Sequence, residues 1–264
     1  TWAVSSGSFE LPLKDYANIT IDWGDGSTTT HTGGAMQSHS YSAAGTYTIT
    51  VIVNDDAKDI GEMYMYNHAS RTLIRTITNW GEGKWESFSS AFNGATNLTI
   101  PATDEPNLSL VTQMGSAFND CTSLVGTNFD DWDVSTIEDM QYMFGGASVF
   151  NGDISSWITG AATTFRYMFY GATVFDQDIS NWDTTDVTSM QGTFRGLTAF
   201  NINIGSWDTA NVTDMNQMFY DATAFNKDLN LWDTSKVEDM SSMFGNATSF
   251  NGNISSWNTP VLSD

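Results

Sequence analysis

Six tryptophans, Trp132, Trp157, Trp182, Trp207, Trp232 and Trp257, stand 25 residues apart along this 264-residue chain without a slip. A fixed period of this length marks stacked repeats, because every unit must offer the same apolar residue at the same point to its neighbours. A catalytic core imposes no such count. Function is therefore expected on a repeated surface and not in one deep pocket.

Other positions keep the register. Ile154, Ile179, Ile204, Leu229 and Ile254 lie three residues before a tryptophan. Ile137, Val187, Val212 and Val237 lie five after, with Ala162 at the same place, and Met140, Phe165, Met190, Met215 and Met240 lie eight after. Phe144, Phe169, Phe194, Phe219 and Phe244 follow at twelve, Ala147, Ala172, Ala222 and Ala247 at fifteen, with Leu197 the exception. Phe150, Phe175, Phe200, Phe225 and Phe250 follow at eighteen. Offsets of 5, 8, 12 and 15 put one apolar stripe on a short helix. Asp139, Asp214 and Asp239 would sit in its first turn, where the helix dipole favours negative charge. Residues Asp153 to Trp157 and their counterparts read as a brief strand.

The expected fold is an α/β solenoid with one short parallel strand and one short helix per 25-residue repeat. Strand pairing at about 4.8 Å per repeat would make the six tryptophans a ladder roughly 24 Å long. A weaker 26-residue spacing links Phe144 to Phe118 and Phe92, and Leu73, Ile77 and Trp80 match the strand half, so repeats are read over 72–258. The first residues differ. Asn18-Ile19-Thr20-Ile21-Asp22-Trp23-Gly24-Asp25-Gly26-Ser27 reads as a strand entering a tight Asp-Gly turn, and His39-Ser40-Tyr41 through Gly45 to Val53 as a turn and alternating strand. Too short for a complete sandwich, this segment is expected to be an antiparallel β cap, 1–57, closing a solenoid that spans 58–264.

Charge and chemistry narrow the function. The chain carries 31 Asp and Glu against 9 Lys and Arg, a formal net charge of −22. Such a field repels nucleic acid and anionic lipid. No apolar run reaches the ~18 residues a membrane span needs. Cys121 is the only cysteine, which excludes an internal disulfide and a cysteine-based zinc site. The chain opens inside a strand-rich segment and reads as a monomeric domain cut from a larger secreted or anchored protein. No nucleophile elbow, zinc-helix, phosphate-loop or dinucleotide motif occurs, and His31, His39 and His68 lie outside the regular repeats. The chain is read as non-enzymatic.

The tryptophans read as core. If they and the isoleucines point inward, their neighbours point outward in two polar columns. One is Asp153, Asp178, Asn203, Asp228 and Asn253; the other is Ser155, Ser180, Gly205, Asn230 and Ser255. These columns, on an open sheet face, are the candidate ligand-binding residues. No cofactor is certain; calcium is the one left open, with Asp130, Asp131, Asp133, Asp176 and Asp178 as weak candidate ligands. The column Asn151, Asn201, Asn226 and Asn251 reads as turn structure. Thr184, Thr209 and Thr234 form a threonine column, a weak pointer to ice binding.

Two resemblances emerge from these residues. Ala91-Phe92-Asn93-Gly94-Ala95-Thr96-Asn97-Leu98 and Ala117-Phe118-Asn119-Asp120-Cys121-Thr122-Ser123-Leu124 resemble the leucine-rich repeats of BspA-like and treponemal surface proteins. The tandem W-D-T-x-x-V-x-x-M-x-x-M-F-x-x-A-x-x-F-N units look like that family's 25-residue branch. The resemblance implies a curved solenoid on a bacterial cell surface, binding a protein, peptide or glycan of another cell or host, with no catalytic residue. Phe, Met and Trp replace the usual Leu, so the family's ligand sites do not transfer. The D-W-G-D-G of residues 22–26 and the H-x-Y-x-x-x-G-x-Y of 39–47 resemble polycystic-kidney-disease-type β-sandwiches. The expected function is the extracellular ligand-binding module of a bacterial surface adhesin. The alternatives are a spacer or stalk, and a calcium-dependent polysaccharide- or ice-binding module.

Overall fold

A computed structural model describes residues 1–54 and 59–262. Alternating apolar residues build the first part. Ile19 and Ile21 point inward from the strand Asn18–Asp22 while Thr20 points out, the period-two pattern of a half-buried strand. In chain order the strands are β1 (Trp2–Val4), β2 (Gly7–Leu11), β3 (Leu13–Lys14), β4 (Asn18–Asp22), β5 (Thr28–Thr32), β6 (Gln37–Tyr41) and β7 (Gly45–Tyr47). They are followed by β8 (Thr50–Val53), β9 (Asp59–Met63) and β10 (Lys84–Ser87). β4 lies between β5 and β8, β2 pairs with β6 and β1 with β7, all antiparallel. β9 pairs antiparallel with β3 and parallel with β10.

The D-W-G-D-G signature forms the loop between β4 and β5. Gly24 has φ +77°, and a Cβ there would lie 2.4 Å from the Thr48 carbonyl oxygen, so only glycine fits. The Trp23 indole stacks on His39 at 4.8 Å, and the Tyr41 hydroxyl donates to the Trp23 carbonyl at 2.9 Å. The residues that carry the resemblance thus form one cluster. β9 and β10 join this region to the repeats, together with an antiparallel bridge between Trp2 and Ile74. The boundary expected between 57 and 58 lies outside the described residues. β9 stands just beyond it, yet pairs with β3.

The expected α/β leucine-rich-repeat-like solenoid does not form. Among the described residues there is no α-helix; the one helical element is a 3-10 turn at Ala69–Thr72. The expected repeat strand is also absent. Ser155 and Ser156 form a turn, and the Trp157 amide donates three residues back to Ile154 at 3.3 Å. All ten strands end by Ser87, in small and mostly antiparallel sheets.

What replaces the helix is visible in the backbone hydrogen bonds. The amides of Tyr142, Phe144 and Gly146 donate to the carbonyls of Arg166, Met168 and Tyr170, 24 residues ahead, at 2.9, 2.8 and 2.6 Å. Between them Met143, Gly145 and Ala147 donate three residues back, to Met140, Tyr142 and Phe144. An α-helix uses every interior N–H at the fourth residue back; here every second N–H leaves for the next unit. Two left-handed residues per unit turn those groups outward: Tyr142 and Gly146, Tyr167 and Gly171, Gly192 and Gly196, Gln217 and Asp221, Ser242 and Asn246. Each breaks a helix. Steps of three and four apolar residues fit such a chain of tight turns as well as they fit a helix. Single parallel bridges link Gln113, Asp139, Thr164, Ser189, Asp214 and Asp239 in series, in the segment expected to be helical.

The 25-residue period is nonetheless physical. Trp132, Trp157, Trp182, Trp207 and Trp232 are 3–4% exposed, as expected of a core. Trp157 lies 6.2 Å from Trp182 and Trp182 6.4 Å from Trp207, their rings within 5° of parallel. Each indole N–H from Trp157 onward donates to a carbonyl 28 residues back, as Trp182 does to Ile154 at 3.1 Å. Phe144, Phe169, Phe194, Phe219 and Phe244 stack in a second column.

Candidate functional site

Apart from buried Gly205, the two polar columns are exposed or half-buried on turns, not on a sheet face. Each acidic or amide side chain closes a turn of its own or holds the next unit. Asp153 Oδ1 accepts from the Ser155 amide at 3.0 Å and its hydroxyl at 2.7 Å, and Asp178 Oδ1 accepts from the Ser180 amide at 3.0 Å. Asn203 does the same for Gly205, and Asn253 for Ser255. Asp228 Oδ1 instead reaches the Asn253 amide at 2.8 Å, and Asn230 Oδ1 accepts from the Ser256 amide at 2.9 Å. The Ser155 and Ser180 donors hold the carboxyls of Asp153 and Asp178 below the usual range. Asp153 and Asp178 are thus charged and fixed in place, and the columns are partly committed to the backbone.

Neighbouring columns are more strictly structural. Asn151 Oδ1 accepts from the Asp176 amide, Asn201 from Asn226 and Asn226 from Asn251, each 25 residues on. These asparagines satisfy backbone groups, as read from the sequence, but across to the next unit and not within a turn of their own. Thr184, Thr209 and Thr234 are buried, and their hydroxyls donate to Asp208, Asp233 and Asn258 carbonyls at 2.8–3.0 Å. A buried threonine column offers nothing to ice. Asp133 Oδ1 is taken by the amide and hydroxyl of Ser135, and Asp176 Oδ1 by the Asn201 amide. Among the described residues no group of three or more His, Cys, Asp or Glu could hold a metal ion, so Asp130, Asp131, Asp133, Asp176 and Asp178 are not drawn into one site.

Sequence reasoning missed a third surface. Nine, ten and thirteen residues after the tryptophans, the repeat loses its uniformity: Arg166, Tyr167 and Tyr170 in one unit, Gln191, Gly192 and Arg195 in the next, Asn216, Gln217 and Tyr220 in the third. The Arg166 guanidinium lies 5.8 Å from the Tyr142 ring and 5.3 Å from that of Tyr167. The Arg195 guanidinium lies 5.4 Å from Tyr170 and 5.1 Å from Tyr220. Arg166 Nε donates to Gln191 Oε1 at 2.6 Å, and Arg195 Nη1 donates to Gln217 Oε1. The local loss of periodicity was the available signal.

A region of short, mostly antiparallel strands followed by stacked turn-rich repeats defines a repeat protein with a β-rich N-terminal part. Residues 86–191 and 163–264 match the family described as Mycoplasma protein of unknown function, DUF285; the two matches overlap and span most of the chain, which belongs to that family. Residues 3–63 match the PKD domain. Both are domains of a kind typical of extracellular surface proteins, and neither is an enzyme family. The DUF285 match agrees with the resemblance to BspA-like bacterial surface proteins at the level of a repeat family, without the leucine-rich-repeat part of it, and the resemblance at the N-terminus is matched directly. No helix among the described residues is long and apolar enough to cross a membrane. No curated protein and no solved structure matches the chain.

Proposed function

We propose that this chain is the ligand-binding module of a bacterial surface adhesin, holding a peptide, protein or glycan of another cell or host on its Asp/Asn and Ser columns. The observation that supports this is the preorganisation of those columns. Asp153 and Asp178 are fixed through Oδ1 by their own turns, so an ordered row of exposed carboxylates meets a ligand with little entropy left to lose. The two matched families support the extracellular setting.

The turns dictate how to test it. Alanine at Asp153 would remove the acceptor that closes the turn. Asparagine keeps an Oδ1 acceptor and removes only the charge. The triple variant Asp153→Asn, Asp178→Asn, Asp228→Asn is expected to melt within a few degrees of the parent yet lose capture on a glycan and peptide array, screened with and without calcium. Unchanged capture would reject these columns as the binding face. A spacer is the second reading, favoured because the same side chains close turns; it predicts no saturable capture by the parent.

A further inference from the structure

We propose that the tyrosine–arginine strip is a binding site for an acidic oligosaccharide, a chain of sugars bearing carboxylates. Only four basic residues occur between 86 and 264, namely Arg166, Arg195, Lys227 and Lys236. The two arginines stand within one strip in adjacent units. Neither makes an ion pair among the described residues, although Arg166 is near enough to Asp214 to oppose the burial that raises its pKa. Each guanidinium carries five N–H donors, and each spends one on a glutamine oxygen. The remaining donors have the forked geometry that binds a carboxylate bidentately.

The surroundings fit a sugar. Tyr142, Tyr167 and Tyr220 are half-buried and Tyr170 is 41% exposed, so part of each tyrosine is accessible to a ligand. Gln191 and Asn216 bond to each other and to Arg166 and the Ser241 carbonyl, which fixes the floor of the strip. Gln217, whose Oε1 accepts from Arg195, adds an amide nitrogen that donates to a sugar hydroxyl. Packing between tyrosines, 4.9 Å apart in the Tyr142–Tyr167 pair, fixes the guanidiniums before any ligand arrives. The strip crosses four units, on the order of 15 Å at about 4.8 Å per unit. That is too narrow for the roughly 800 Å² per partner of a stable protein interface. The net charge of −22 also disfavours a densely acidic protein partner, whereas isolated carboxylates on a neutral sugar frame meet the guanidiniums with less opposition.

The test is calorimetric titration of the full chain with a uronate-containing tetrasaccharide, its carboxyl-reduced neutral form, and poly-L-glutamate. Saturable binding of the uronate is expected, with the neutral form weaker by about tenfold or more, the loss when charge-assisted hydrogen bonds vanish. Arg166→Gln with Arg195→Gln should weaken uronate binding by a similar factor, with an unchanged melting temperature. Should that variant melt early, Arg166→Lys with Arg195→Lys, which keeps charge but not the fork, should still bind uronate more weakly than the parent. Equal binding of the acidic and neutral sugars, no binding of either, or binding of poly-L-glutamate alone would each overturn the proposal. Loss of uronate binding in the Arg166→Gln, Arg195→Gln variant, with its array capture by the polar columns unchanged, would separate this site from those columns.

Discussion

Trp182 shows how one residue ties three units together. Its ring lies between those of Trp157 and Trp207, and its N–H is satisfied by the Ile154 carbonyl of the preceding unit. Replacing it with alanine is expected to cost about 3–5 kcal/mol in urea unfolding, the range for deleting a large buried aromatic. A change near zero would mean the ring is not core. Cys121 offers a second probe. It is fully buried, its thiol bonded to the Phe92 carbonyl at 3.1 Å, and burial pushes its ionisation up. A thiol reagent should therefore react only as fast as the protein unfolds; rapid labelling of the folded protein would refute that burial. The tryptophan core was legible because apolar identity at a fixed period has one meaning, and the asparagine column because a short amide in a turn usually serves the backbone. The arginines and tyrosines were not, because they break the period that made the rest readable.

At the scale of the element, a helix and a chain of tight turns compete for one apolar pattern. Met140, Phe144 and Ala147 have helical spacing, and Asp139 has the position of a helix cap. Asp139 does cap, accepting from the Gln141 amide at 2.8 Å, but what it caps is a turn. Glycine at 146, 171 and 196 held the contrary clue, since the left-handed conformation recurs there every 25 residues. Tyr142, Tyr167 and Gln217 concealed it by adopting the same conformation with a side chain. Gly171→Ala should cost about 1–2 kcal/mol, because its Cβ would meet nothing closer than 3.9 Å and only backbone strain remains. Gly192→Ala should cost more, its Cβ meeting the Tyr167 ring at 2.2 Å. In a Tyr167→Ala background the two costs should converge, as a double-mutant cycle on thermal melts would show. Equal costs in the parent would contradict the packing of Tyr167 over Gly192.

For the whole molecule, acidity is distributed so that many carboxylates are bound by the fold. Hydroxyl and amide donors lower the pKa of Asp133, Asp153, Asp178, Asp183, Asp233 and Asp239, and Ser27 with His39 lowers Asp25 to about 2. A folded pKa below the unfolded value adds stability above about pH 3.9, and that stability is lost as the pH falls through the folded value. Glu86 and Asp214 shift upward, through burial first, and act in the opposite sense. The lowered groups are the more numerous, so the melting temperature should drop between pH 4 and 2 (about the range of these groups). A rise over that range would show that relief of charge repulsion dominates.

The alternation of backbone bonds, one amide to its own turn and the next to the following unit, underlies the array, its exposed columns and the tyrosine–arginine strip. Through-hydrogen-bond NMR couplings in deuterated, labelled protein read it directly. Coupling is expected from the amide nitrogens of Tyr142, Phe144, Tyr167 and Phe169 to the carbonyl carbons of Arg166, Met168, Gln191 and Thr193. Couplings from those amides to carbonyls four residues earlier would restore the helix and contradict the stacked turns.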